Sequence, residues 1–453
     1  MPPRSGRCVG GLRTLGIKRG DTYLIRTPNC RELVIAFLAG AKLGAVPIMA
    51  HSLLGMRELG HILENGEPVA AIVSEQSAAP LRALRGESKR LRTLVIIGEA
   101  QADEIPFKDL LTGGETSVTA DTASDEPAFI VYTSGTTGLA KGIVHAHRWI
   151  ISVGHPAQLH MPLSSGDTVM HTSELSFIWG LGHGFLFPLA AGATIALMPG
   201  RPAVDTVMAA IAQFGVAVLA TVPTLLRAIL AAAEPAGGYR IDSLRRVYAS
   251  GEALGEATYT EWTTRFKAAL YEVYGVSEFQ VIIANGPAAA VRPGSMGRAH
   301  PGVAVAVIDG SLVELGPNQT GSFAIRGDDP GLFLEYRKQE EKWREAHRGP
   351  WYDTGDQVYR DEDGYFWYLG RQDDLFKSRG YLISPKEIEE ALLGCEGVQE
   401  AAIVGEPNTA IGNQITGDAL CLAVKSIIKR RLLKASSPLW RRQREVEKDL
   451  STA

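Results

Sequence analysis

Along the first two-thirds of the chain, short unbroken apolar runs alternate with longer stretches whose apolar positions recur at helical spacing. AAIVSE (70–75), TLVIIG (93–98) and AFIVYTS (128–134) read as buried strands. ATIALMP (193–199), VAVLATVP (216–223) and RRVYASGE (245–252) continue the series. Helical spacing marks RELVIAFLAGAKLG, closed by Gly44 and Pro47, and the stretches 203–214 and 224–233. Strands alternating with helices predict an α/β protein whose parallel sheets are covered on both faces. The apolar run Leu181–Leu197 is broken by Gly182, His183, Pro188 and Gly192, and reads as buried strand and turn. After about residue 300 the pattern changes. GSFAIRGD and DEDGYFWYLGRQDD alternate in strand fashion with Asp-Gly turns, which predicts antiparallel structure. SPKEIEEALLG (384–394) reads as a helix with Ser384 at its N-cap, Pro385 at N1 and Glu387 at N3, and VQEAAIVGEP as a strand.

The boundary falls near Gly370–Arg371. It separates a large domain, 1–370, from a small α+β domain, 371–453, whose basic tail from about 426 has a different texture. The large domain is expected to hold parallel-rich sheets under helices plus a β-barrel-like part. A net charge of −4 argues against nucleic acid as the main partner, because phosphate neutralisation needs a basic surface. Cys8, Cys30, Cys395 and Cys421 form no CxxC pair, so reduced thiols in a cytoplasm are expected rather than a zinc site or disulfide framework. No apolar stretch is clean enough to span a bilayer, and Met1–Gly11 lacks the apolar centre of a signal peptide.

The strongest chemical signal is Tyr132-Thr-Ser-Gly-Thr-Thr-Gly-Leu-Ala-Lys141-Gly142. A buried strand runs directly into a loop of hydroxyls and glycines that ends in a lysine. Glycines let backbone N–H groups turn toward an anion. Ser134, Thr136 and Thr137 add donors and Lys141 adds a charge, a combination suited to a polyphosphate. It is not a Walker A loop, because Ala140 and Gly142 stand where that pattern needs Gly and Ser or Thr.

TSGTTGLAKG resembles the phosphate-loop signature of the adenylate-forming superfamily, which includes acyl-CoA synthetases, carrier-protein adenylation domains and firefly-type luciferases. SGEAL (250–254), YGVSE (274–278), GSMGRAHPG (294–302), YDTGD (352–356) and GRQDDLFKSRGYLISPKEIE (370–389) follow in the family's order, over roughly residues 10–425. The resemblance implies ATP, Mg²⁺ and coenzyme A, a small-molecule carboxylic acid as substrate, and leaves room for a homodimer. Thr133, Lys141, Glu278 and Arg371 would be catalytic. Ser134, Gly135, Thr136, Thr137, Gly138, Gly251 and Glu252 would contact nucleotide. Tyr274 would stack on adenine beside Gly275, Ser277 would meet the α-phosphate, and Glu278 would hold Mg²⁺. Asp356 would accept the ribose hydroxyls, Asp373 would be the hinge of the small domain, and Lys377 and Gly380 would belong to the thioester-forming face. Phe177, Trp179, Gly180, Ala249 and Ser250 would wall the acyl slot. The stretches GLGHGFLFPLAAGATIALMPGRP and GYLISP look similar to the benzoate- and aminobenzoate-CoA ligase branch. The carboxylate nearest Phe177 in sequence is Glu174, which counts against an amino-acid substrate.

The chain departs from the pattern at Ala140, where the family has proline, and at both ends. GLRTLGIKRGD resembles an internal helix and turn, and the family's late P-x-T-x-x-G-K lysine motif is not found. None of Lys425, Lys429, Lys434 and Lys448 has matching context. The sequence reading therefore expects an AMP-forming acid–thiol ligase, truncated at both ends, with adenylation impaired. A catalytically crippled nucleotide-binding relic, a carrier-protein adenylation domain and a luciferase-like oxygenase stand as alternatives.

Overall fold

The computed structural model describes residues 2–112, 119–133, 140–232, 241–287, 290–378, 381–393, 398–408 and 412–421. The chain divides into two compact units, Met1–Val305 with Ile325–Tyr352, and Ala306–Ala324 with Asp353–Ala453.

Two large sheets organise the first unit. One runs in the order Glu335–Tyr336, Lys141–Ala146, Pro127–Thr133, Val46–Met49, Thr22–Arg26, Ala70–Ser74, Thr93–Ile97, Ile105–Pro106. Its strands are parallel from Pro127–Thr133 onward, and antiparallel at the other edge, where Lys141–Ala146 and Glu335–Tyr336 add on. Leu24, Ile48, Ala71, Leu94 and Ile130 pack beneath Leu59, Ile62 and Leu63 of helix Met56–Gly66. Helix Arg31–Leu43 stops where Gly44 takes a left-handed conformation (φ 73°) that a side chain would strain, and its amide bonds back to Ala41.

The second sheet runs Arg298–Ala299, Gln280–Ala284, Ala269–Val276, Arg246–Ala249, Val218–Thr221, Thr168–His171, Thr194–Leu197. Alternation along these strands splits the core in two. Met170, Leu219, Val247 and Leu270 lie under helices Val204–Phe214, Pro223–Ala231 and Glu256–Arg265, while Val169, Val218, Ala220 and Tyr248 face the other way, with Trp179 packed against them.

The run Leu181–Leu197 corrects the strand-and-turn expectation. Its first part is helical, as Ile178–Leu181, a π turn at Gly182–Leu186, and Phe187–Ala190; only Thr194–Leu197 is strand. Gly180, Gly182 and Gly184 allow close approach rather than breaking structure, whereas Gly192 (φ 72°) sits in the turn that follows the helix. A Cβ on Gly180 would lie 2.4 Å from the Glu174 carbonyl oxygen, and one on Gly184 2.6 Å from the His171 Cβ. Pro188 sits in the first turn of its helix, where no N–H is needed.

The second unit is antiparallel, as expected. Asp356–Arg360 pairs with Phe366–Arg371. A four-stranded sheet follows in the order Tyr381–Ile383, Phe376–Ser378, Gly412–Cys421, Val398–Asn408, with helix Pro385–Leu393. The Ser384 hydroxyl donates to the Leu369 carbonyl. Among the described residues no helix is long and apolar enough to cross a membrane.

Candidate active site

The polar loop joins two paired strands. Thr133 and Lys141 stand directly opposite each other in an antiparallel ladder, so the loop leaves and returns at one sheet edge. Ser134, Gly135, Thr136, Thr137 and Gly138 lie outside the described residues. The Lys141 Nζ stands 5.0 Å from the centroid of the Tyr336 ring. The Tyr336 hydroxyl donates to Glu278 Oε1 at 2.6 Å and lies 3.1 Å from the Tyr352 hydroxyl. Tyr336 reaches this position because Glu335 and Tyr336 pair with Val144 and Ile143, just beyond the lysine. The Phe333 amide donates to the Glu278 carbonyl (2.8 Å) and the Arg337 amide to the Gly142 carbonyl (2.7 Å). Tyr336 also lines an open cavity of 540 Å³ together with Leu334, Lys338, Gln339 and Trp343.

A second strut comes from His145, on the same strand as Lys141 and two residues beyond Ile143. It is fully buried, and burial lowers its pKa to about 3. The neutral ring donates from Nε2 to the Ser277 carbonyl at 2.9 Å and stacks on Phe129 with centroids 4.8 Å apart. Lys141, Ser277 and Glu278 are thus gathered by two residues, His145 and Tyr336, that lie outside every quoted motif. For His145 a signal existed in the alternation after Lys141, which sets 141, 143 and 145 on one face.

Tyr274 lies near the end of the strand Ala269–Val276, where the register slips between Tyr274 and Gly275. Gly275 is obligatory there, since a Cβ would fall 2.0 Å from the Gln280 carbonyl oxygen. Gln280 holds a positive φ of 145° and donates from Nε2 to the Ile178 carbonyl at 2.7 Å. Residues in such backbone regions cluster at functional sites. Gln280 joins the YGVSE turn to the helix that carries Trp179. Ala249 ends the neighbouring strand, and Ser250 and Gly251 (φ 91°) follow it. The Glu252 carboxylate accepts from Thr224 (2.6 and 2.7 Å) and Arg227 (2.8 Å), which pins this loop to helix Pro223–Ala231.

On the acyl side, Phe177 is 46% exposed, with its ring 5.1 Å from that of His51. Trp179 meets His171 edge-on at 4.5 Å. The Glu174 carboxylate is taken up by the Ser52 amide (3.0 Å), the Ser52 hydroxyl and the Ser176 hydroxyl (3.2 Å), with His51 at 3.6 Å. It is committed to joining two loops. Also buried are His160 and His183, whose Nε2 atoms lie 2.9 Å apart, and His300, stacked on His160.

In the second unit, Asp356 and Arg371 oppose each other across paired strands, and the Arg371 Nη1 donates to Asp356 Oδ1 at 2.9 Å. Asp356 is buried, and Tyr368 lies beside it, its hydroxyl pKa raised by burial and by that carboxylate. Asp373 is exposed in the turn after Arg371. Lys377 lies on the strand Phe376–Ser378; its side chain and Gly380 lie outside the described residues.

Among the described residues no group of three or more His, Cys, Asp or Glu side chains could hold a metal ion. A single carboxylate, Glu278, suits a hard divalent cation that takes its other oxygens from phosphate and water.

The chain matches the model of one family, described as AMP-binding enzyme, over residues 3–337. It is 32% identical to a benzoate–CoA ligase of Thauera aromatica, over 96% of this chain and 85% of that protein. It is 31% identical to a 3-hydroxybenzoate–CoA/4-hydroxybenzoate–CoA ligase of the same species, over 89% of this chain and 77% of that protein. Among solved structures, the anthranilate CoA ligase AuaEII in complex with anthranoyl-AMP superposes with a TM-score of 0.88 at 27% identity, covering 98% of this chain and 83% of that one. A benzoate CoA ligase from Burkholderia xenovorans LB400 gives 0.84 at 26% identity, covering 99% and 87%.

Proposed function

The chain belongs to the family of AMP-binding enzymes, and from that premise we propose that this ATP-dependent acid–CoA ligase acts on a flat aryl acid of the benzoate type. The observation that carries the substrate class is Glu174, beside Phe177 in sequence, whose oxygens are spent on Ser52 and Ser176; Phe177 and Trp179 would wall the slot. An amino acid would need a free carboxylate for its ammonium group. The relatives named above as benzoate and hydroxybenzoate ligases agree with this reading, and ligases among the relatives disfavour a non-catalytic relic.

The reaction takes two steps. The acid's carboxylate oxygen attacks the α-phosphorus of ATP, and the bond to the bridging oxygen breaks to release pyrophosphate. The sulfur of coenzyme A then attacks the acyl carbon, loses its proton, and expels AMP. Negative charge builds on phosphate oxygens in the first step, and Lys141 with the hydroxyls of Ser134, Thr136 and Thr137 would stabilise it. Ser277 would meet the α-phosphate, and Thr133 would belong to the same set. Glu278 would hold Mg²⁺, which neutralises phosphate charge when bound. Tyr274, with Gly251 and Ser250, would receive the adenosine, and Asp356, presented by Arg371, would accept the ribose hydroxyls, which an ionised carboxylate does well. Ala249 and Gly180 would close the slot. Asp373, as hinge between 1–370 and 371–453, with Lys377 and Gly380, would serve the thioester step.

The test is pyrophosphate release with benzoate, hydroxybenzoates, acetate, palmitate and phenylalanine, each with and without coenzyme A. Benzoate-type acids should lead, and thioester should appear only with coenzyme A. Preference for palmitate or phenylalanine would overturn the aryl slot.

A further inference from the structure

Lys141 and Glu278 carry opposite charges and stand on either side of one aromatic residue, Tyr336. No ion pair joins them. Such a pair would have to be broken before phosphate could claim the ammonium or a cation the carboxylate. Tyr336 supplies each charge with a separate partner. Its π face lies under the lysine at 5.0 Å, and its hydroxyl donates to Glu278 Oε1 at 2.6 Å. Its proton is therefore committed to Glu278, so at the 3.1 Å contact the Tyr352 hydroxyl must donate to the Tyr336 oxygen. The result is a directed chain, Tyr352 to Tyr336 to Glu278, in which each bond polarises the next. The ring is held in place by Phe333 at 4.6 Å, and the backbone by its pairing with Ile143 and Val144.

The geometry points to Tyr336 as a positioning residue that keeps Lys141 and Glu278 apart and aims both at a nucleotide–metal complex. The inference rests on the roles given to Lys141 and Glu278 in the proposed function. Tyr336 makes two separable contributions. The ring serves the lysine, and so the phosphates alone; the hydroxyl serves the carboxylate, and so the metal-bound form.

Calorimetric titration with ATP, in the presence of Mg²⁺ and in its absence with chelator, reads the two apart without turnover. Tyr336→Phe keeps the ring and removes the hydroxyl. It should bind metal-free ATP as the wild type does and bind MgATP about tenfold more weakly, the effect of losing a hydrogen bond to a charged group. Tyr336→Leu removes both and should weaken both ligands. Tyr352→Phe should weaken MgATP alone, by less than Tyr336→Phe. Thermal melts check that each variant is folded, and if the leucine variant does not fold, the two phenylalanine variants decide. Unchanged MgATP affinity in Tyr336→Phe, or equal weakening of both ligands there, would overturn the inference while leaving the ligase reading intact. A wild-type protein that binds no ATP in either condition would overturn both.

Discussion

Acidification below pH 7 should destabilise the first unit steeply. Among the described residues no carboxylate favours the charged form of five buried histidines, His145, His160, His171, His183 and His300. Burial lowers the pKa of His145 and His171 to about 3 and of His300 to about 4. It holds His160 and His183 well below the ordinary value, helped by repulsion from neighbouring histidines. All five folded values are depressed below the unfolded value of 6.5. Well above pH 6.5 both states are neutral and pH has no effect. As pH falls from 6.5 toward 4, the unfolded chain takes up protons that the folded chain refuses, and stability is lost. Each group costs about 1.4 kcal/mol per pH unit once well inside that window. For five groups the loss between pH 7 and 5.5 is about 6 kcal/mol, comparable with the whole stability of many domains. At about 2 cal/mol/K of unfolding entropy per residue of the first unit, that lowers Tm by about 9 °C. Scanning calorimetry at constant ionic strength, from pH 7 to 5.5, measures the slope. His300→Phe keeps a ring against His160 and should flatten the slope by about one-fifth. A Tm constant across that range, or a His300→Phe slope equal to the wild type, would refute the reasoning.

Two further outcomes follow from distances in the site. Gly182→Ala places a Cβ 2.2 Å from Gln280 Nε2 and 2.9 Å from the Phe187 ring, so the Gln280–Ile178 hydrogen bond breaks and Trp179 shifts. KM for the acid in pyrophosphate release should rise about tenfold, with KM for ATP little changed, since overpacking costs about 1–3 kcal/mol. Asp356→Asn removes the charge that Arg371 pairs with, and ATP should bind about tenfold more weakly by titration, with Tm nearly unchanged.

The parallel core was legible because strands buried on both faces leave continuous apolar runs. AAIVSE became Ala70–Ser74, VAVLATVP became Val218–Thr221, and the helix expected over 203–214 spans Val204–Phe214. Within the run Leu181–Leu197, residues 181–190 fold as helix where the pattern suggests strand and turn, because glycine marks both breaks and close contacts, and only the neighbours, such as His171 and Gln280, tell which. Motif residues announced themselves by their local pattern, and the pairing of Asp356 with Arg371 makes a physical unit of two of them. Tyr336 and His145 did not, because what gives them meaning lies far along the chain. His145 meets Ser277 at a separation of 132 residues. No periodicity encodes such a meeting; it follows from which strands become neighbours.

The pairing of Glu335–Tyr336 with Ile143–Val144 also sets a timetable for synthesis. The strand Lys141–Ala146 leaves the ribosome with one edge bare, and its partner follows about 190 residues later, a loop whose closure entropy grows only slowly with length but cannot be met early. Until then the lysine lacks its ring, Glu278 lacks its hydroxyl donor, and an open strand edge invites pairing with other nascent chains. On the proposed roles of Lys141 and Glu278, ATP would act as a ligand for folding only after Tyr336 has emerged. A chain stalled before that point would carry the signature loop without the ring that meets Lys141 and the hydroxyl that meets Glu278.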